Sequence, residues 1–365
     1  MRKVFFMLLP MIFLIGMMEG CSIKNKDRSV VNEDAAMIKT EEVEKLTVEE
    51  KIALTENVIE PFPSEEEIAR LKDVRNSNTT LSVPTDVEKI DGFYFIVDCY
   101  HNQVIYSDDL SAPLTQWHVM CDTMTRGHTV ASDGIVYLID DTENNKILVY
   151  QKEQDIFIHT QTINNVGKRP HYIRYEENTN SFYVLSSMTG EVYILKTKPN
   201  VSKNGDSRPV VSVLDIKTIK ELSNTYCRSF SIEKDTIWFP ASNGLIVKAS
   251  FPECIVLKTY QAPREVGGLA QIYPIGNYYY LSVSTNAEGN QEDATLIRTS
   301  NLEALQNGQY EDLYDRLEPD RTSVGTPYHI STFDGYYYLV EHRHGHGLFE
   351  FSIQNDQMAE VKIVQ

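Results

Sequence analysis

Three histidines share similar surroundings: His128 in MTRGHTVASDG, His171 in RPHYIRYEEN and His329 in TPYHISTFDG, each just ahead of a run that reads as a buried β-strand. Neutral imidazole is a good ligand for zinc, copper or iron, and three imidazoles with an open fourth position are a catalytic zinc arrangement. On a repeated scaffold the same side chains also read as polar groups bonded to backbone and channel water, as buried polar groups must be. Arg126, Arg169 and Tyr328 flank these positions and suit an anionic or polar group. There is no G-x-S-x-G, no Walker loop and no H-E-x-x-H, so nothing indicates a covalent nucleophile.

The elements that must position these residues repeat. From about Leu81 onward, short aromatic and β-branched runs alternate with Gly, Asn and Asp turns. DVEKIDGFYFIVDC, HTVASDGIVYLIDD and HISTFDGYYYLVEH superimpose without gaps at Asp91-Gly92, Asp133-Gly134 and Asp334-Gly335. Three further hairpins, HYIRYEENTNSFYVLSS, SFSIEKDTIWFPAS and QIYPIGNYYYLSVST, complete six copies. A third run and usually a fourth follow each, at a period of about 42 residues, the signature of propeller blades. The expected fold is all-β: a six-bladed β-propeller of four-stranded antiparallel blades over 81–365. The tyrosine runs Tyr278–Tyr280 and Tyr336–Tyr338 lie in second strands, where alternate residues face opposite sides and pack between blades.

The stretch Asp140-Asp141-Thr142-Glu143-Asn144-Asn145-Lys146-Ile147, echoed by DCYHNQVIYSD, resembles the strand-turn-strand of NHL blades, and the whole region is similar to the NHL and regucalcin-like propellers. It is also similar to propeller lipoproteins of anaerobic Gram-positive bacteria. In such a fold the first strand of each blade lines the channel. The equivalents of His128 are then Asp86, His171, Arg228 or Phe230, Gln271 and His329. The placement of His128, His171 and His329 resembles that of the metal-binding histidines in the peptidyl-amidating lyase propeller, which implies a divalent metal such as zinc, with Asp86 as a candidate base. A second cluster, His342, His344 and His346 in EHRHGHGLFEF, lies beside Glu341. That residue joins Asp98, Asp140 and Asp141 in an acidic ring whose oxygens suit calcium if they converge.

Ahead of the repeats, Arg2 and Lys3 precede an apolar run of about 15 residues, the h-region of an export signal. The run ends in Met18-Glu19-Gly20-Cys21, which resembles a bacterial lipobox, with Leu replaced by Met18 and a small residue by Glu19. The resemblance implies a signal peptide over 1–20 and a diacylated Cys21. Two acyl chains anchor stably where one does not, which places the protein at the outer face of the cell membrane. Residues 21–80 are dense in Glu and read as an acidic tether, a solvated spacer with short helices starting after Thr47 and Ser64. Cys99, Cys121, Cys227 and Cys254 form no CxxC motif and read as buried thiols or as two disulfides of an exported protein.

A formal net charge of −18 excludes nucleic acid as a direct partner, since phosphate binding needs clustered Lys and Arg. Two functions fit. One is a surface module that binds a small-molecule, glycan or protein ligand at the channel face through Arg126, His128, Arg169, His171, Arg228, Gln271, Tyr328 and His329. The other is a metal-dependent hydrolase or lyase that uses the three histidines as ligands.

Overall fold

Alternation along the second strand of each repeat decides the architecture. Phe95 and Val97 pack toward the following repeat, and Ile96 between them packs toward the last one. A sheet buried in this way on both faces needs a neighbour on each side, and six such sheets close into a ring. The computed structural model describes residues 45–200, 207–317, 326–341 and 347–365. It shows six antiparallel sheets, each built on four consecutive strands. Their first strands are Pro84–Ile90, Val130–Ser132, Pro170–Glu176, Ser231–Glu233, Gly268–Ile275 and Pro327–Phe333 in blades one to six. The signal peptide, Cys21, the tether as far as residue 44 and His342, His344 and His346 lie outside the described residues.

Six apolar clusters fill the six seams between blades. Tyr279 packs in the seam between blades four and five, Tyr280 in the next, and Tyr338 between blades six and one, so the tyrosine runs are blade packing. Burying each such side chain contributes roughly 1.5–3 kcal/mol. Blade six takes its fourth strand, Gln357–Ile363, from its own repeat, so the ring closes without an exchanged strand. The aspartates of the Asp-Gly turns add links across seams: Tyr137 Oη donates to Asp91 at 2.5 Å, Thr197 Oγ1 to Asp133 at 2.5 Å, and Lys89 Nζ to Asp334 at 2.6 Å.

Thr47 and Ser64 cap the helices Val48–Leu54 and Glu65–Asp73, each through a capping box with Glu50 or Glu67. Much of the stretch expected to be a solvated spacer is built into the fold. Val48 and Ile52, one helical turn apart, pack on the seam between blades two and three. Glu56–Ile59 adds a fifth strand to blade two, with Glu56 opposite Asn164, and Arg75 bridges His118 of blade one. The glutamates that made this stretch read as a spacer sit on its outward side; Glu65, Glu66 and Glu67 are all exposed. Residues 47–365 form one compact unit, and no helix among the described residues is long and apolar enough to cross a membrane.

Candidate functional site

Strand registers sort the channel residues into layers. Pro84, Pro170 and Pro327 stand opposite Asp98, Ser186 and Glu341. The next residues, Thr85, His171 and Tyr328, therefore share a level. Val130 opposite Ile139 sets His128 at that level, and the Cys227–Ala241 bridge does the same for Arg228. Ala270 completes the layer, since Ile272 opposite Leu281 repeats the pairing of Val87 with Ile96. One residue deeper lie Asp86, Thr129, Tyr172, Ser229, Gln271 and His329. The single ring expected from sequence is thus two rings. His128, His171 and Arg228 belong to the upper one, and Asp86, Gln271 and His329 to the lower; Phe230 is fully buried in the cluster between blades three and four.

The two layers tie every blade to the next. Thr85 Oγ1 donates to His128 O at 3.0 Å, and Val130 N to Asp86 Oδ2 at 3.2 Å. Ile173 N donates to Thr129 Oγ1 at 3.0 Å, and His171 Nδ1 to Arg228 O at 2.9 Å. Ser229 Oγ donates to Ala270 O at 2.7 Å, and Gln271 exchanges two hydrogen bonds with the backbone of Ile330. His329 Nδ1 closes the circle on Asp86 Oδ1 at 2.8 Å. Groups this buried need such partners, and here the partners also hold the ring together.

At the upper level the rings of His128 and His171 stack with centroids 3.7 Å apart. Because a carbonyl oxygen only accepts, His171 Nδ1 carries a proton, and His171 Nε2 pairs with Tyr328 Oη at 3.2 Å. Burial holds the Tyr328 phenol well above its usual pKa, so it stays a donor. Below, Tyr172 Oη meets His329 Nε2 at 2.9 Å, and burial likewise raises the Tyr172 phenol. The space left between the layers is about 10 Å³, at the lower limit for one water molecule. The two layers leave the channel nearly filled at this level.

The mouth is set by the motif that runs through DCYHN and DTENN. Asp98 Oδ1 accepts Ser82 N and Asp141 Oδ1 accepts Thr125 N, and Glu341 takes Thr326 N in the same way. The acidic ring expected from sequence is therefore a set of backbone anchors within the blades. Asp140 sits one residue earlier and binds the backbone of His128 and Thr129 and the hydroxyls of Thr129 and Thr142. Asn102 and Asn145 end the motif in the left-handed conformation. Their side chains accept the backbone N–H of Arg126 and Arg169 in the next blade, at 3.1 and 2.7 Å. Both arginines have φ 58°, unusual for a non-glycine residue, and the asparagines help to hold it.

Two residues ahead of the upper layer, then, stand Arg126, Arg169 and Tyr226, with Arg228 just below. The Arg126 guanidinium lies 3.6 Å from the Tyr100 ring centroid, and Arg169 and Arg228 lie 5.7 and 4.7 Å from that of Tyr226. Arg169 Nη2 also meets Glu143 Oε1 at 2.8 Å. Arg126 Nη1 and Arg169 Nε are buried atoms with no hydrogen-bond partner among the described residues.

These residues do not fit a tri-histidine metal centre. Ring lone pairs must meet at one point about 2.1 Å away. His128 and His171 are 15° from parallel and face to face, so their in-plane lone pairs run side by side. His329 belongs to the lower layer with both nitrogens engaged. Among the described residues no three His, Cys, Asp or Glu side chains are grouped as a metal would require. Cys99, Cys121, Cys227 and Cys254 are buried and form no disulfide with one another.

Tyr226, Glu143, Tyr100 and Tyr172 were not identified from sequence. Tyr226 stands two residues before Arg228, as Arg126 does before His128, so a settled register for the fourth repeat exposes it.

No protein-family profile matches the chain, and no curated protein does. Solved structures match it at the level of fold. A 6-phosphogluconolactonase-like protein from Bacteroides uniformis matches with a TM-score of 0.53 and 12% identity, covering 79% of this chain and 88% of that one. A second, from Bacteroides fragilis, has a TM-score of 0.52 and 11% identity, covering 77% and 85%. A catalytically inactive variant of virginiamycin B lyase from Staphylococcus aureus, crystallised with quinupristin, has a TM-score of 0.50 and 12% identity, covering 85% and 89%. At such identities the likeness is one of propeller architecture.

Proposed function

We propose that this protein is a ligand-binding propeller of the NHL and regucalcin-like kind that works at the mouth of its central channel. A lipid on Cys21 holds it at the outer face of a bacterial membrane. The observation that carries the binding role is the mouth itself. Side chains from consecutive blades surround a channel nearly filled beneath them, and Arg126 Nη1 and Arg169 Nε are buried donors without hydrogen-bond partners among the described residues. Leaving such donors unbonded is unfavourable, and a bound acceptor relieves it. The competing role, a metal-dependent hydrolase or lyase, draws on the structural neighbours and lacks a ligand geometry among the described residues.

The test is retention of small molecules by the full chain after rapid size exclusion, read by mass spectrometry. The expected result is a retained molecule that is lost in Tyr226→Ala and kept in Tyr336→Ala, which alters a turn at the far end of blade six. Equal retention by both variants, or none by the wild type, overturns the binding role. For the anchor, Cys21→Ser moves the protein from the membrane pellet to the soluble fraction, and a variant that stays in the pellet refutes it.

A further inference from the structure

Tyr100 and Glu143 occupy the same place in successive blades, two residues after Asp98 and Asp141, and each engages the arginine that opens the next blade. The Tyr100 ring lies against Arg126, while Glu143 offers Arg169 a carboxylate. The Glu143 contact is partial. It takes one terminal nitrogen of Arg169 and leaves buried Nε without a partner among the described residues. A guanidinium presents parallel N–H groups that carboxylate and phosphate fill two at a time. Both partners are also open to water, with side chains 36% and 40% exposed, and pairs of this kind yield readily to a competing ion. Arg228 and Arg169 meet the same Tyr226 ring, so two guanidinium groups share one corner of the mouth. In a chain of net charge −18 such a corner is a local exception.

Resting on the reading of the mouth as the ligand face, we infer that it takes a small molecule bearing a phosphate or carboxylate group between Arg169 and Arg228, with Glu143 as an internal substitute for that anion. Binding displaces Glu143 from Arg169. Glu143 thereby sets a threshold that weak or singly contacting anions do not pass.

The experiment is calorimetric titration of the full chain, at fixed ionic strength, with inorganic phosphate and in parallel with citrate. Glu143→Gln tightens binding of the preferred anion by about threefold, the scale of an exposed charge pair. Arg169→Ala weakens it by about tenfold or more, the scale of a charge-assisted hydrogen bond. Glu177→Gln makes the same charge change at the opposite end of blade three and leaves affinity unaltered. The inference is overturned if Glu143→Gln does no more than Glu177→Gln, if Arg169→Ala binds as the wild type does, or if neither anion binds. A neutral retained molecule that depends on Tyr226 also overturns it and leaves the binding role of the mouth standing.

Discussion

The imidazole rings of His128 and His171 lie face to face, their centroids 3.7 Å apart and their planes 15° from parallel, each with a ring nitrogen within 3.5 Å of the phenol oxygen of Tyr328. This stack is the floor of the mouth. Its two rings come from equivalent positions of blades two and three, so the repeat itself brings them together. What distinguishes them from Thr85 and Ala270 in the same layer is bulk and planarity. Flat rings close a channel that smaller side chains leave open. Arg126, Arg169 and Tyr226 stand two residues ahead of this layer, so under the proposed binding role the histidines form the floor and the arginines and tyrosines supply the donors.

His329 has a different task, which can be tested by comparing two links across one seam. His329 Nδ1 and Asp86 Oδ1 are 2.8 Å apart, with side chains 5% and 2% exposed, and join blade six to blade one inside the channel. Lys89 and Asp334 join the same blades at the outer turn, with side chains 28% and 42% exposed. His329→Ala strands a buried carboxylate and is expected to cost about 3 kcal/mol. Lys89→Ala is expected to leave stability nearly unchanged, because water replaces what the pair loses. Urea denaturation of the two variants decides. Equal effects would show that the channel pair is not what closes the ring.

Much of this was legible in the sequence, and the limits are physical. The blade number follows from six alternating hairpin runs, three of them with Asp-Gly turns, because a sheet buried on both faces repeats its pattern. The channel layers do not follow from those turns. Ile90 and Phe93 enclose a two-residue loop, as do Phe333 and Tyr336, but Ser132 and Tyr137 enclose four residues. Superposition on Asp-Gly therefore places His128 level with Asp86 and His329, one residue from its true neighbours Thr85 and Tyr328. Asp98, Asp141 and Glu341 looked like an acidic ring because their partners, the backbone N–H groups of Ser82, Thr125 and Thr326, carry no sequence signal. The role of Asn102 and Asn145 in holding the next arginine was hidden for the same reason.

Asp140 should make stability depend on pH. Burial pushes its carboxyl up to about 7, against the pull of Thr142, Thr129 and the His128 amide. In the unfolded chain the group titrates near 3.8. Between those values the folded protein holds a proton that the unfolded chain has released. The contribution is therefore complete below about 4 and lost as pH rises through about 7. Asp140→Asn removes this titration, so its melting temperature is expected to fall less than that of the wild type between pH 4.5 and 7.5. A variant that keeps the full pH slope would assign the dependence to other groups.

The N-terminal segment offers the remaining test. Lys51 Nζ lies 2.5 Å from Glu191 Oε1, with side chains 10% and 7% exposed, and this pair pins the helix Val48–Leu54 to blade three. Glu191 also accepts from Thr189 Oγ1 at 2.8 Å, so its charge is embedded in a small network. Taking two charges out of water offsets much of their attraction, and the pair contributes little net stability even though losing one member is severe. Lys51→Met is expected to cost about 3 kcal/mol and to expose residues 47–60 to limited proteolysis, because it leaves Glu191 buried without its cation. Lys51→Met combined with Glu191→Leu is expected to recover most of that loss, since apolar side chains of similar size fill the same space. If the double variant is no more stable than Lys51→Met alone, the segment is held by the specific ion pair and not by the packing of Val48 and Ile52 on the seam beneath.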